Sequence, residues 1–190
     1  MLHHFQIHNA LLQTGDILCT MDGKQPPLPG EFWRLLSRIL PGEIDHIILY
    51  LGPEGRCVEA GAAGVLLFDL PGPAWDARAM APRRGGLDDR LKGIAYPLAG
   101  RALSPVEEDA KRLQVANYCL EQVGKPYNLN FFASEREDAF YCSQLAYKAY
   151  QQVGINLNTG LQVPNVPGTQ SIIFPTEIWA GCVHQVVEVT

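Results

Sequence analysis

The chain has 190 residues and a mass of 21.0 kDa, with 15 Lys+Arg against 20 Asp+Glu, a formal charge of −5 and 47% apolar residues. A chain of this mass folds to roughly 9,000 Å² of surface from roughly 30,000 Å² unfolded, which suffices for one domain with its own core over the whole sequence. The acidic balance and the lack of any basic block exclude a groove that tracks nucleic-acid phosphates, and no apolar run approaches the roughly 18 residues of a spanning helix.

Cys19, Cys57, Cys119, Cys142 and Cys182 are odd in number, widely spaced and without a Cys-x-x-Cys pair. That argues against a disulfide framework or a zinc knuckle and leaves at least one thiol free. Free thiols suit a reducing compartment. The start, from Met1 to Gln6, has neither the basic residues nor the apolar stretch of a leader, so a cytoplasmic chain is expected, with an exported form from which a leader was trimmed left open.

The predicted elements begin with a turn at Thr14-Gly15-Asp16 that enters a short strand through Cys19. Pro26, Pro27, Pro29 and Gly30 mark a loop. Phe32, Leu35, Leu36, Ile39 and Leu40 then recur at helical spacing, predicting an amphipathic helix over Glu31 to Leu40 before Pro41-Gly42 stops it. His46 to Leu51 is apolar on both alternating faces and reads as a buried strand. Glu54-Gly55 supply a hairpin turn, and Arg56 to Ala60 return with Cys57 and Glu59 on one face and Val58 on the other. Gly64 to Phe68 reads as a further strand. Leu70 to Lys92 is rich in Pro, Gly, Arg and Asp and reads as a flexible excursion without chemistry; Pro82-Arg83-Arg84-Gly85-Gly86 within it reads as a solvated loop.

Ser104-Pro105-Val106-Glu107 combines an N-cap serine, a proline at the first helical position and a glutamate at the third, the pattern of a capped helix start. Val106, Ala110, Leu113, Ala116, Leu120 and Val123 form the expected apolar stripe, and Gly124 ends the helix. A second helix runs from Tyr141 to Val153, with Cys142 in its first turn. Ile155 to Pro175 is punctuated by Pro, Asn and Gly, Thr176 to Trp179 suits a helical turn, and Val183 to Val189 reads as a closing strand.

A cysteine at a helix N-terminus sits where backbone N–H groups and the dipole stabilise a thiolate. Cys142 occupies that position. A thiol nucleophile needs a base, and His46 stands out because it opens an otherwise apolar strand, where an unpartnered imidazole is costly. Glu59, one hairpin away, is placed to receive a ring N–H and fix the tautomer, with Asp45 as a competitor that points to the opposite face. The residues alone fit a thiol site equally with a buried cysteine, a satisfied core histidine and a rim glutamate.

Gly124-Lys125-Pro126-Tyr127, followed by Tyr141-Cys142-Ser143-Gln144-Leu145 and Gly154-Ile155, resembles the nucleophile block of NlpC-type papain-like cysteine hydrolases. Gly15-Asp16-Ile17-Leu18, His46 to Gly52, Val58-Glu59-Ala60 and Gly64-Val65 resemble the histidine block of that superfamily. Here the histidine block comes first, an order similar to the circularly permuted branch of YiiX-like proteins and lecithin retinol acyltransferase relatives. The resemblance spans about Leu12 to Gly154, with Phe174-Pro175-Thr176-Glu177 matching a later family segment. The chain departs from the pattern at Leu129-Asn130-Phe131-Phe132, where the family has a glycine-containing segment, and at Gln144, where the family has an acidic residue or glycine.

The resemblance implies an α+β, permuted papain-like fold: an antiparallel sheet curled towards a barrel, with the nucleophile helix packed on it. It implies Cys142 as nucleophile, His46 as base, Glu59 as the residue orienting it and Tyr127 as an oxyanion-side hydroxyl; a core tyrosine is the alternative for Tyr127. No metal or organic cofactor is implied. The activity expected is a thiol hydrolase or acyltransferase acting on an amide, ester or thioester of a small-molecule, lipid-like or peptide substrate, with peripheral membrane contact open. Because Phe32 to Leu40 and Asn130-Phe131-Phe132 flank the base and the nucleophile, an acyl-binding groove is expected, the bland alternative being that they complete the core. The rival functions are a cell-wall peptidase and a non-catalytic binding module on the same fold.

Overall fold

The structure, a computed structural model, describes residues 1–24, 42–161 and 167–187. The helix expected over Glu31 to Leu40 lies outside the described residues. The chain opens with a two-stranded antiparallel ribbon, β1 (His4–Ile7) and β2 (Ala10–Gln13). Six further strands form one sheet: β3 (Ile17–Lys24), β4 (His46–Gly52), β5 (Arg56–Gly61), β6 (Gly64–Asp69), β7 (Asp88–Tyr96) and β8 (Val183–Val186), in the spatial order β6-β5-β4-β3-β7-β8. Every pairing is antiparallel. The architecture is therefore α+β, as expected. The sheet is open among the described residues, ending at β6 and β8, so the expected curl does not reach a closed barrel.

The strand β4 is buried along its whole length because both faces of the sheet are covered. On one face Ile47, Leu49, Val58 and Ala60 meet Leu145, Ala146 and Ala149 of the helix that begins at Cys142. On the other, Ile48, Tyr50 and Cys57 meet Ile7 and Leu12 of the ribbon and Leu70 and Met80 of the excursion. Cys57 and Val58 thus fall on opposite faces, as the alternation requires.

Four helices are described: α1 (Ala77–Met80), α2 (Pro105–Glu121), α3 (Cys142–Gln151) and α4 (Pro175–Gly181). None is long and apolar enough to cross a membrane. The predicted cap of α2 is present, with Glu107 N–H donating to Ser104 Oγ at 3.3 Å and Ser104 N–H donating to Glu107 Oε2 at 2.9 Å. Its apolar stripe is not the expected one: Val106 and Leu120 are exposed, while Arg112, Val115, Ala116 and Cys119 face inward. The rotation follows from Arg112, whose guanidinium reaches Asp16 Oδ1 at 2.8 Å and Thr14 O at 2.9 Å and so ties α2 to the turn before β3. Tyr150 of α3 donates to Gly15 O at 2.6 Å and closes the same junction.

The segment leading towards α3 is registered on the edge strand β6. Gly124 N–H donates to Val65 O and Val65 N–H to Lys125 O, each at 2.8 Å. This close approach depends on Gly64, which has φ +91° and where a Cβ would stand 2.5 Å from Lys125 O. Gly64→Ala is therefore expected to cost about 1–3 kcal/mol, through left-handed strain and the clash together. A urea midpoint unchanged from the parent would contradict that placement.

Candidate active site

The site forms where the start of β4 meets the N-terminus of α3. His46, the first residue of β4, pairs with Thr20 of β3. By alternation it points to the same side of the sheet as Ile48 and Tyr50, and Glu59 points there with Cys57. His46 Nε2 lies 2.7 Å from Glu59 Oε2, with Glu59 fully buried. The other ring nitrogen, Nδ1, is the one left free of Glu59, and Cys142 lies near enough for its charge to act on the imidazole. Asp45 does not take the ring nitrogen that Glu59 holds; its backbone N–H donates to Thr20 O at 3.1 Å.

Burial alone would push the imidazole towards neutrality. The charge and hydrogen bond of Cys142, followed by those of Glu59, outweigh it and raise His46 to about 10. Burial likewise opposes ionisation of Glu59, but the bonds and charges of His46 and Arg84 win and hold its carboxyl below the usual range. The pair is thus an imidazolium–carboxylate arrangement set against a thiol at a helix start.

Arg84 is the participant that the sequence reading missed. It was expected in a solvated loop, yet its side chain is wholly buried. Its Nε donates to Glu59 Oε1 at 3.0 Å and its Nη2 to Glu59 Oε2 at 2.9 Å. The other edge of the guanidinium meets Asp89, Nη1 to Oδ1 at 2.8 Å and Nη2 to Oδ2 at 2.9 Å, and Thr20 Oγ1 donates to Asp89 Oδ2 at 2.7 Å. Phe68 and Trp75 stack on the guanidinium at 4.8 and 5.2 Å from its carbon. The excursion of Leu70 to Lys92 is accordingly ordered structure: Asp76 caps α1 through Ala79 N–H at 3.0 Å, and Asp88 onward is strand β7. The strand was hidden by a bulge, since Thr20 pairs with Leu91 and Cys19 with Gly93, leaving Lys92 extra and breaking the period of two.

On the other side, Gln144 holds the approach to Cys142. Its Oε1 accepts from Asn128 Nδ2 at 2.9 Å and from Tyr141 N–H at 3.2 Å, while its Nε2 donates to Ser134 O at 3.0 Å and Arg136 O at 2.8 Å. All four capacities of the amide are used, and the residue is fully buried. Ser143 Oγ donates to Ile173 O at 2.7 Å and Ile173 N–H to Tyr141 Oη at 3.0 Å, pinning the segment before α4 to the same helix start.

Tyr127 is bridged to Phe140, and Asn128 N–H donates to Phe140 O at 3.0 Å, which brings the tyrosine alongside Tyr141 and Cys142. Its ring meets Phe131 edge-on at 6.4 Å, and Phe131 in turn meets Tyr141 at 5.1 Å. Burial, with the charge of Cys142 behind it, pushes the Tyr127 phenol well above its ordinary range, so it remains a protonated donor. Leu129 and Phe132, on the same loop, are exposed. All five cysteines are free and buried. Among the described residues no group of His, Cys, Asp and Glu has the makings of a metal site.

Residues 101–163, which hold α2, the Tyr127 loop and α3, match the family model of the permuted papain-like amidase enzymes, YaeF/YiiX, C92 family. The chain is similar there to permuted papain-like amidases of the YiiX type. At the level of reaction class that similarity supports a thiol hydrolase. Among curated proteins and solved structures nothing matches the chain significantly.

Gln144 also explains one departure from the family pattern. A glutamate there would turn two donated bonds into repulsion between a carboxylate and the carbonyls of Ser134 and Arg136. Gln144→Glu is expected to lower stability by about 2 kcal/mol at pH 8. The buried acid would have a folded pKa above its unfolded one, so the loss should shrink on acidification through that window and grow as pH rises. Urea unfolding at pH 5 and pH 8 reads this directly.

Proposed function

We propose that the chain is a cysteine hydrolase or acyltransferase in which Cys142 attacks an amide, ester or thioester carbonyl. The observation that carries this reading is an imidazole whose Nε2 is held 2.7 Å from a buried carboxylate, beside the thiol at the first residue of α3. A binding module needs no such charge arrangement. In the proposed mechanism the Cys142 thiolate forms a bond to the carbonyl carbon, and the oxyanion is received by first-turn N–H groups of α3 and the Tyr127 hydroxyl. Collapse breaks the bond to the leaving nitrogen, oxygen or sulfur, which takes the proton from the His46 imidazolium. The resulting thioester is attacked by water, or by an acceptor hydroxyl or amine, while His46 removes its proton. Release of the product restores the thiolate and the imidazolium.

For the substrate we favour a lipid-like acyl group. Supporting this are the exposed Leu129 and Phe132 on the same loop as the half-buried Phe131, whose ring packs on Tyr127 and on Tyr141, the residue before the thiol.

Iodoacetamide at mildly acidic pH should label Cys142 ahead of Cys19, Cys57, Cys119 and Cys182, as mapped by mass spectrometry; even labelling would remove the nucleophile from the scheme. His46→Ala should lower the acid-range rate by about 10²–10⁴-fold without unfolding the chain, and Glu59→Gln by less, because an amide still partly holds the ring. The pair is complete while His46 keeps its proton, so turnover should persist through neutral pH and fall as pH rises through about 10. Steady-state rates on matched acyl and peptidyl substrates test the substrate class: faster turnover of the polar peptide would overturn the acyl preference and leave the thiol mechanism in place.

A further inference from the structure

We propose that Arg84, backed by Asp89, is a positioning residue that acts through Glu59 to set the charge state of the Cys142–His46 pair. The inference rests on the thiol mechanism above and extends it to two residues that touch neither the thiol nor a substrate.

Glu59 Oε2 is shared: it lies 2.7 Å from His46 Nε2 and 2.9 Å from Arg84 Nη2. The guanidinium is shared in turn, one edge on Glu59 and the other on Asp89. With the thiolate formed, the groups from Cys142 through His46, Glu59, Arg84 and Asp89 carry charges of alternating sign, and all are buried. The other titratable groups along this line are Asp45, which precedes β4 next to His46, Cys57 on β5, and Cys19, Tyr127 and Tyr141 around Cys142. Cys57 is pushed far up by burial and Tyr127 by burial and the Cys142 charge, so both stay neutral. Thr20 from β3 adds only a hydroxyl donated to Asp89.

A buried line of charges is felt along its length. At an effective dielectric of about 20, a unit charge about 8 Å away still changes an ionisation by about one pH unit or more. Arg84 makes the potential at His46 and Cys142 more positive, favouring the thiolate and disfavouring the imidazolium; Asp89 does the reverse. The two residues should therefore move both ionisations of the pair together, and in opposite directions. A residue that only held the excursion in place would not give effects of opposite sign.

The test is the pH profile of Cys142 alkylation by iodoacetamide in the full chain, with the label mapped to its residue. Asp89→Asn should move the midpoint of the acid limb down by about one pH unit, and Arg84→Met should move it up by about as much. Arg84→Lys keeps the charge and loses the fork, so its midpoint should return close to that of the parent. Midpoints that stay put, or that move the same way in both neutral variants, overturn the proposal. The unaltered protein supplies an independent reading, needed if Arg84→Met does not fold: the Arg84 Nε resonance in ¹⁵N NMR should titrate with the midpoint of Cys142 alkylation, and a flat resonance overturns the proposal. A profile in which Cys142 is not the preferred target refutes the thiol reading itself, an outcome distinct from an unmoved midpoint.

Discussion

A carboxylate with no solvent exposure at all, Glu59, imposes the terms on which its surroundings are built. Removing an ionised carboxyl from water costs several kcal/mol even after relaxation, and only close, well-aligned partners offset it. His46 supplies one such partner and Arg84 the other, each on Oε2. Burying Arg84 transfers the problem one step outward, where Asp89 and the Thr20 hydroxyl complete the guanidinium's partners. The folded-back turn after α1, the bulge in β7 and the stacking of Phe68 and Trp75 all follow from bringing that arginine under the sheet. Deleting Arg84 would leave Asp89 buried without its counter-charge, which costs far more than the intact network contributes to stability. That asymmetry suits a site that must keep one geometry.

The thiol comes from a different half of the chain, and its placement depends on neutral hydrogen bonds. Gln144, Ser143 and Tyr141 tie the start of α3 to the 128–136 loop and to Ile173, so Cys142 is fixed by contacts on three sides of its own helix turn. The histidine block and the cysteine block meet on the face of the sheet, where α3 packs on β4 and β5, and at its edge, where Val65 pairs with Gly124 and Lys125. A permuted order of the two blocks is harmless for this reason: neither contributes a connecting segment to the reacting atoms. It also explains how a family match confined to residues 101–163 can cover Cys142 while His46 and Glu59 lie outside it.

The parts of this arrangement that were legible in the sequence are those with local signatures. The hairpin around Glu54-Gly55, the faces of Cys57 and Val58, the cap at Ser104 and the helix beginning at Cys142 all follow from period and capping chemistry. What could not be read depended on tertiary partners. The inward face of α2 was mistaken because a buried arginine, Arg112, sets its rotation in place of the apolar residues. Strand β7 was missed because an extra residue at Lys92 puts Leu91 and Ile94 on one face at a spacing of three. Arg84 sits beside two glycines and another arginine, a composition that describes a solvated turn unless one asks which cation a buried glutamate requires. The ribbon at His4 to Gln13 escaped notice because four-residue strands carry too little pattern to distinguish them from a frayed start.

That last question points to what separates Cys142 from the other thiols. Burial alone cannot do so, because all five cysteines are buried. For Cys19, Cys57, Cys119 and Cys182, burial pushes the thiol up and away from the reactive thiolate. Cys142 lies within the same apolar core, yet it alone sits beside an imidazole whose proton is held by the Cys142 charge and, after it, by Glu59. Its neighbours in the core exclude water, which would otherwise screen that imidazolium, so the apolar packing of α3 strengthens the charge interaction at its first residue. What sets Cys142 apart is the junction of two environments: a dry helix start that raises the worth of each charge, and a compensated line of charges beside it.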